Sequence, residues 1–336
     1  MFDHVKFTHL VEIRPLGFLY GSAGRFLSPE NLVGRSGQQF PPGAATLSGL
    51  FAAQLDSTTL ESLTLAGPFW AWSNNLQNFY VPTPLHCLVK RDSEQIQAKL
   101  TFDQVQKCWS TSSGKFKSGT WTPIQEWDQI ARICSEPWQF SPHLHPRLEA
   151  DQRRVDVASD QGSLFLENAV ELNPDASLIF LSTVTIPDGW YRFGGEGHMV
   201  ELSCHPLAKT TSDLLAQPVG ASFALITPGL WGSNRLSYRE PMCDGKPVWS
   251  VEGMLTERPH AYRYRLGGKG STKRLSRGRY AVSAGTVYVL SDYLGLPWQD
   301  WDPNWFPQEA YPLKRWGCAL ALPLPDVISQ INPQVA

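Results

Sequence analysis

Long hydrophobic segments are missing from this 336-residue chain. No apolar run reaches the roughly 18 residues that a transmembrane helix needs, so the sequence predicts no membrane span. Residues 1–6 have neither the basic start nor the apolar core of a secretory signal, and we therefore expect a cytoplasmic protein. The six cysteines are scattered without a Cys-x-x-Cys pair, which favours free thiols over a disulfide framework or a zinc site.

An excess of charge of one sign is also absent. The chain has 29 bases and 31 acids, a net charge of −2, which excludes a uniformly basic, histone-like protein. Proline and glycine, in contrast, are abundant, with 26 and 27 residues, and 42% of the chain is hydrophobic. So many turn formers in a chain that can build a core predict short strands, and they exclude a helical bundle or a coiled coil.

Hydrophobic periodicity predicts many strands and few helices. Alternation over residues 5–14 is typical of a half-buried strand, and two prolines within 79–90 indicate an edge strand or a strand end. Further strands are expected at 177–186, 198–204, 221–227, 260–266 and 280–290, and helices at 44–55 and 124–134. This mixture predicts an α+β fold of antiparallel sheets, with room for two ferredoxin-like units, residues 1–170 and 171–336.

The helix predicted at 44–55 has two distinct faces. Its apolar face is made by Leu47, Leu50, Phe51 and Leu55, and its second face by four small residues, Ala45, Ser48, Gly49 and Ala52. Small side chains let another backbone approach the helix closely. We therefore expect either a strand of the protein or a nucleic acid to pass along this second face.

A glycine-rich segment at 194–197 lies between two predicted strands. The simpler interpretation is a hairpin turn whose glycines adopt positive φ. The alternative is a glycine-rich edge that an RNA backbone can approach. Neither this segment nor the glycine-rich segment 267–272 has the order of a Rossmann or P-loop motif, so neither predicts nucleotide hydrolysis.

Residues 258–279 carry eight bases and no acid. Without this segment, 21 bases and 31 acids give the rest of the chain a net charge of −10. Tyr262 and Tyr264 alternate with arginines, and a hairpin here would place arginines on one face and tyrosines on the other. Cations neutralise phosphates and tyrosines stack on unpaired bases, so the segment favours contact with RNA or DNA over the alternative of a solvated loop.

Other candidate residues point less clearly to a function. His143, His145, Cys204 and His205 are of types that bind metals, but their spacing matches no standard zinc signature. The acidic, tryptophan-rich segment 292–309 is unsuited to binding phosphate. It favours core packing with an acidic rim over a protein interface anchored by tryptophan.

Five groups of residues occur in the order found in one protein family. They are RPLGFLYGSAGRF (14–26) with FPPGAATLSG (40–49), LAGPF (65–69) with YVPTPL (80–85), HPR (145–147) leading to GSLF (162–165), FGGEGH (193–198) and AVSAGTVY (281–288). Together they resemble the third Cmr subunit of type III-B CRISPR effector complexes, a RAMP protein of the Cas-five group. The resemblance extends over nearly the whole chain.

This resemblance implies tandem ferredoxin-like (RRM-like) domains, with inserted loops and a projecting hairpin, that bind RNA without catalysis and without a cofactor. Such a subunit caps the 5′ end of the CRISPR RNA (crRNA) in antiviral defence by gripping its repeat-derived tag. The implied partners are that tag, the large polymerase-like (Cas-ten type) subunit and the adjacent backbone (Cas-seven type) subunit.

The expected RNA contacts combine the residue patterns with the resemblance. Arginines before the small-faced helix would hold tag phosphates, the helix and the glycine motif would let the RNA backbone approach, and the resemblance places three further arginines on the projecting hairpin. The full set is Arg25, Arg35, Thr46, Ser48, Gly49, Arg147, Arg153, Arg154, Gly194, Gly195, Gly197, Arg263, Arg265, Lys269, Lys273, Arg274, Arg277 and Arg279.

Two other functions are compatible with the sequence. One is a metal-independent endoribonuclease of the Cas-six type that processes precursor CRISPR RNA. It would need a general base such as His4 or His9 near the glycine motif. The other is a protein scaffold that makes no direct contact with RNA.

Overall fold

The computed structural model describes residues 6–20, 40–146, 149, 154–155, 164–194, 197–232, 236–266, 274–309 and 311–328. In chain order the strands begin with β1 His9–Pro15, β2 Leu19–Tyr20, β3 Leu65–Trp72, β4 Tyr80–Pro82, β5 Cys87–Leu88, β6 Ala98–Lys99, β7 Phe102–Asp103, β8 Cys108–Trp109, β9 Trp121–Pro123, β10 Trp138–Pro146, β11 Leu164–Leu172, β12 Ala176–Ser182 and β13 Gly189–Phe193. They continue with β14 His198–Pro206, β15 Ser222–Leu225, β16 Met242–Cys243, β17 Lys246–Pro247, β18 Val251–Leu255, β19 His260–Tyr262, β20 Arg265–Leu266, β21 Arg274–Leu275, β22 Arg279–Ala281, β23 Val287–Leu290, β24 Gln308–Glu309, β25 Tyr311–Pro312 and β26 Ala321–Pro323.

Helices are few and short. The α-helices are α1 Ala44–Ala52, α2 Ser57–Ser62 and α3 Lys209–Leu215. Short 3₁₀ helices span Leu76–Asn78, Ile124–Gln129, Trp298–Asp300, Pro303–Trp305, Leu313–Trp316 and Pro325–Val327. The helix expected at 124–134 is therefore a 3₁₀ helix that ends at Gln129. None of the described helices is long and apolar enough to span a membrane.

A seven-stranded sheet with the order β13-β14-β1-β12-β3-β4-β9 is the largest element of the fold. Its strand β1 pairs antiparallel with both β12 and β14, so that Val11 lies between Phe180 and Cys204. Hydrophobic cores cover both faces of the sheet at β1, with Leu10 in one core and Val11 and Ile13 in the other. Glu12 is therefore buried as well, and the expectation of a half-buried strand is wrong. The strand predicted at 79–90 splits into β4 and β5, and β4 ends at Pro82, which confirms the alternative of a strand end. The alternative of an edge strand is wrong, because β4 lies between β3 and β9.

Both faces of this sheet contribute to hydrophobic cores. Helix α1 covers one face, where it packs Leu47 and Phe51 against Val11 and Phe180. The opposite face shares its core with a four-stranded sheet of order β18-β23-β15-β26. Tryptophans of the acidic segment 292–309 complete this second core, with Trp298 and Trp301 essentially buried, which confirms the prediction of core packing.

The described chain is an α+β protein of antiparallel sheets with few helices, as the sequence predicted. The predicted division at 170/171, in contrast, falls within β11. Strands from both sides of that point pair in the seven-stranded sheet, since β12 lies between β1 and β3. The sheets therefore do not separate where the sequence placed the boundary. All six cysteines are free thiols.

Candidate nucleic-acid interface

The start of α1 is the centre of the candidate site. The cap residue Gly43 offers no side-chain hydrogen bond, and the first turn contains no acid. Leu47 and Phe51 anchor the helix on the sheet, whereas Thr46 and Ser48 are half-buried and Gly49 is exposed. A helix N-terminus carries partial positive charge and unpaired N–H groups. This end of α1 is therefore suited to an anion.

The glycine motif forms the turn of the β13–β14 hairpin. Gly194 and Gly197 have φ of 75° and 68°, and the Gly197 N–H donates to the Gly194 carbonyl at 3.2 Å. These values confirm the predicted turn with positive φ. A Cβ atom added at Gly194 would lie 4.0 Å from Cγ2 of Thr46, so the turn packs against the first turn of α1.

The basic segment approaches the same place. Its strands β19 and β22 pair antiparallel, with Tyr262 opposite Arg279, and β20 pairs with β21. The hydroxyl of Tyr262 lies 4.0 Å from the position of a Cβ atom at Gly43, the cap of α1. The structure thus brings the small-faced helix, the glycine turn and the basic hairpin together around Gly43 and Thr46.

The hairpin is oriented differently from the predicted one. The Arg279 side chain is only 3% exposed and forms an ion pair with Glu309, with 2.7 Å between Nη1 and Oε2. Glu309 also accepts from the Tyr264 hydroxyl at 3.3 Å and from the Arg277 N–H at 3.1 Å. Arg279 is therefore a buried structural residue, and its assignment to the RNA surface is corrected.

The exposed tyrosine of this hairpin is also a different one from those predicted. Tyr264 is buried and offers no face for stacking on a base, while Tyr262 is half-buried against the second core. Burial raises the pKa of both hydroxyls. Tyr280, opposite Ala261 on the paired strand β22, is 60% exposed. Among the arginines, Arg277 is exposed, whereas Arg263 donates from Nε to the Ser276 carbonyl at 2.9 Å.

Strands β10 and β11 pair antiparallel, in register from Trp138 opposite Leu172 to Pro146 opposite Leu164, and the segment between them contains the three arginines that the resemblance places on a projecting hairpin. Beyond it, Arg154 is exposed and forms an ion pair with Glu149, at 2.8 Å between Nη2 and Oε1. Several predicted contacts lie outside the described residues, namely Arg25, Arg35, Arg147, Arg153, Gly195, Lys269 and Lys273. For Arg265 and Arg274, the structure describes only the backbone.

One arginine near the turn escaped the sequence reasoning. Arg192 is exposed on β13, and its Cδ atom lies 3.7 Å from the position of a Cβ atom at Gly197. Its side chain therefore lies over the glycine turn. The signal was present in the alternation Trp190-x-Arg192 just before Gly194, which puts both side chains on one face of a strand.

The histidine proposed as a nuclease base lies far from the turn. His9 pairs with Pro206, at the end of β14, whereas the glycine turn precedes His198 at its beginning. The length of β14 separates them by about 26 Å. His4 lies outside the described residues, as do the side chains of His143 and His145.

No family model and no curated protein sequence matches the chain. Among solved structures, it is similar to a chain of the type III-B Cmr-beta complex bound to cognate target RNA, with a TM-score of 0.47 and 11% identity over 83% of this chain and 86% of that one. A chain of the Csm1-Csm4 cassette in complex with cA4 gives a TM-score of 0.34 and 10% identity over 85% and 87%. Similarity at this level does not assign the chain to a family.

Proposed function

We propose that the protein is a non-catalytic, RNA-binding subunit of a type III-B CRISPR ribonucleoprotein, which caps the 5′ end of the crRNA by holding its repeat-derived tag. The observation that carries this proposal is the meeting of three elements at the start of α1. Gly194 of the turn lies against Thr46, and Tyr262 of the basic hairpin lies against Gly43. The sequence motifs that resemble the third Cmr subunit include two of these elements.

The physical chemistry of this junction favours a phosphate. The first turn of α1 has N–H donors and no acid, so a phosphate there gains from the helix dipole without repulsion from a carboxylate. Gly49, one helical turn beyond Thr46, has no atom within 4 Å of the position of a Cβ atom. The surface over Gly49 is therefore open to the close approach of an RNA backbone.

The partners are proposed on the same basis. The segment 258–279 contains eight bases, of which Arg279 is buried against Glu309, whereas the rest of the chain carries −10. A local basic surface suits a short, defined stretch of RNA, and an acidic remainder suits contact with other subunits. We propose the large polymerase-like subunit and the adjacent backbone subunit as these neighbours. We also propose that the chain binds the RNA and these subunits with tandem ferredoxin-like domains.

Binding without cleavage is part of the proposal. A general base must lie within hydrogen-bonding reach of the hydroxyl that it deprotonates. His9 lies about 26 Å from the glycine turn along β14, so it cannot act on RNA held there. We therefore expect repeat RNA to remain intact after incubation with the purified protein in EDTA.

Thr46 provides the test of the tag site. It is the third residue of α1, where Glu and Gln both support the cap, so Thr46→Glu and Thr46→Gln should fold equally well. A carboxylate here repels a bound phosphate, and we expect Thr46→Glu to weaken binding of a synthetic 5′-tag RNA about fivefold or more. Thr46→Gln, of the same size but neutral, should bind like the wild type.

The measurement is a titration of labelled tag RNA monitored by fluorescence anisotropy. Equal affinities for the Glu and Gln variants would place the RNA elsewhere. Failure of the wild type to bind the tag RNA at all would refute the proposed function itself.

A further inference from the structure

The outer face of the hairpin formed by β13 and β14 exposes unusually large apolar side chains. Trp190 lies opposite Glu201 and Arg192 lies opposite Met199, so these four share one face of the sheet. Trp190 is 70% exposed and Met199 is 43% exposed. The alternate residues of the same strands point inward, where Phe193, Val200 and Leu202 belong to the core beneath α1. We call Trp190, Arg192, Met199 and Glu201 the outer sheet face.

The charges on this face favour an anionic partner. Glu201 is engaged by Arg14 of the neighbouring strand, with 3.6 Å between Oε2 and Nη1. The negative charge of Glu201 is therefore neutralised by Arg14, and Arg192 adds a positive charge beside the exposed indole of Trp190. An arginine next to an exposed aromatic ring on a sheet is the arrangement with which proteins hold single-stranded RNA, with phosphate on the cation and base on the ring.

The glycine turn, at the end of the β13–β14 hairpin, connects the outer sheet face with the proposed tag site, which lies on the other side of the sheet, where α1 packs. The side chain of Arg192 lies over Gly197, and the turn itself packs on Thr46. Trp190 is two residues from Arg192 on the same side of β13, about 7 Å along the strand. A strand of RNA that passes from α1 over the glycine turn to the outer sheet face therefore meets Arg192 first and Trp190 next.

We propose that the outer sheet face is a stacking site for one unpaired base of the bound RNA, next to the segment held at α1. Trp190 stacks on the base, and Arg192 binds the phosphate between that base and the turn. The contact reads no base edge, so it accepts any of the four bases. This inference rests on the proposed function, because it extends the path of the RNA held at the glycine turn.

Substitutions of Trp190 test the stacking contact in the full-length chain. We expect Trp190→Ala to weaken binding of the synthetic 5′-tag RNA about 5- to 100-fold, and Trp190→Phe to keep most of the affinity because it retains a ring. Tyr293→Ala is the matched control, since Tyr293 is also 70% exposed but lies on a different part of the chain. Arg192→Ala should reduce the slope of log affinity against log salt by about 0.7.

Abasic RNA separates stacking from a structural role. Replacing the nucleotides of the tag RNA one at a time by abasic sites should reveal one position that lowers affinity in the wild type but has no effect in Trp190→Ala. If Trp190→Ala binds the tag RNA normally while Thr46→Glu does not, the stacking site is refuted and the tag site stands. If Trp190→Ala binds RNA normally but no longer co-purifies with another subunit, the face serves a protein, and the inference is also wrong.

Discussion

At the scale of single residues, Glu309 connects the acidic segment 292–309 to the basic segment 258–279 through hydrogen bonds. Its carboxylate accepts from Arg279, from the Tyr264 hydroxyl and from the Arg277 N–H. Burial raises the pKa of Glu309, but the hydrogen bonds from Arg279 and Arg277 outweigh it, so that the pKa lies below its usual value. The carboxylate is thus charged in the folded protein, where it compensates a guanidinium that water cannot reach.

Removal of this carboxylate should strongly destabilise the protein. We expect Glu309→Ala to lower the free energy of unfolding at pH 7 by about 3 to 5 kcal/mol, because it leaves the buried Arg279 without its counter-charge. Glu309→Gln, whose amide oxygen still accepts hydrogen bonds, should cost less. Urea unfolding measures both values. Asp213→Ala removes an exposed ion pair with Lys209 and should have little effect, and an equally small effect of Glu309→Ala would contradict the buried pair.

The eight bases of 258–279 show what a count of charges can predict. The count correctly indicated a basic hairpin, but the partner of Arg279 comes from the acidic segment, 30 residues further along the chain. No local pattern contains that pairing, because it depends on where Trp301 and its neighbours pack. The choice between Tyr264 and Tyr280 as the exposed ring depends on the same packing.

At the scale of elements, Gly49 makes α1 less stable but leaves its surface open to an RNA backbone. Gly49 lies within the helix at ordinary φ, and a Cβ atom there meets nothing within 4 Å. Alanine at an open helical position stabilises a helix by about 0.5–1 kcal/mol relative to glycine, so the fold alone gives no reason for glycine here. Close approach of an RNA backbone supplies such a reason.

The substitution Gly49→Ala should therefore change stability and affinity in opposite directions. We expect the free energy of unfolding to rise by about 0.5–1 kcal/mol, and the affinity for the 5′-tag RNA to fall, because the added methyl group stands where the backbone passes. Thermal unfolding and the RNA titration measure the two effects on one preparation. A more stable variant with unchanged RNA affinity would show that the RNA does not pass Gly49.

Hydrophobic periodicity predicted where strands and helices occur better than it predicted which of their side chains are buried. Alternation located β1, but the layers that cover the two faces of the sheet decide whether its polar positions are exposed, and β1 has a core on each face. Glu12 is buried there, accepting from the Ser177 hydroxyl at 2.6 Å and lying 3.2 Å from Nε2 of His205. A pattern within ten residues cannot contain contacts between positions 12, 177 and 205.

At the scale of the whole molecule, the two halves of the sequence are interleaved. Strands β12 to β14 follow the predicted boundary, yet they pair with β1 and β3 from the other side of it. Local periodicity locates a strand, but it does not say which distant strand lies beside it. The meeting of α1, the glycine turn and the basic hairpin is a consequence of this interleaving, since each comes from a different third of the chain.

His86 lies beside a cleft that is lined by residues from both halves of the chain. It lines a cleft of about 730 Å³ together with Trp127, Tyr293 and Leu324, while its own side chain is almost completely buried. Burial, with a smaller contribution from the charge of Lys99, lowers the pKa of His86 from 6.5 to about 4. The folded protein therefore holds this imidazole neutral at a pH where the unfolded chain protonates it.

As the pH falls, we expect the free energy of unfolding to decrease first because of His86, and only at lower pH because carboxylates become protonated. Between pH 6.5 and about 4 the unfolded chain binds a proton that the folded chain excludes, so stability falls as the pH is lowered through this window, by about 3 kcal/mol in total. The Glu309 contribution is lost only below about pH 4.5, where that carboxyl protonates in the unfolded chain. Urea unfolding of wild type and His86→Gln from pH 7.5 to 4 separates the two, because the variant should lose less stability than the wild type between pH 6.5 and 4.5. Parallel profiles for the two proteins would contradict a neutral, buried His86.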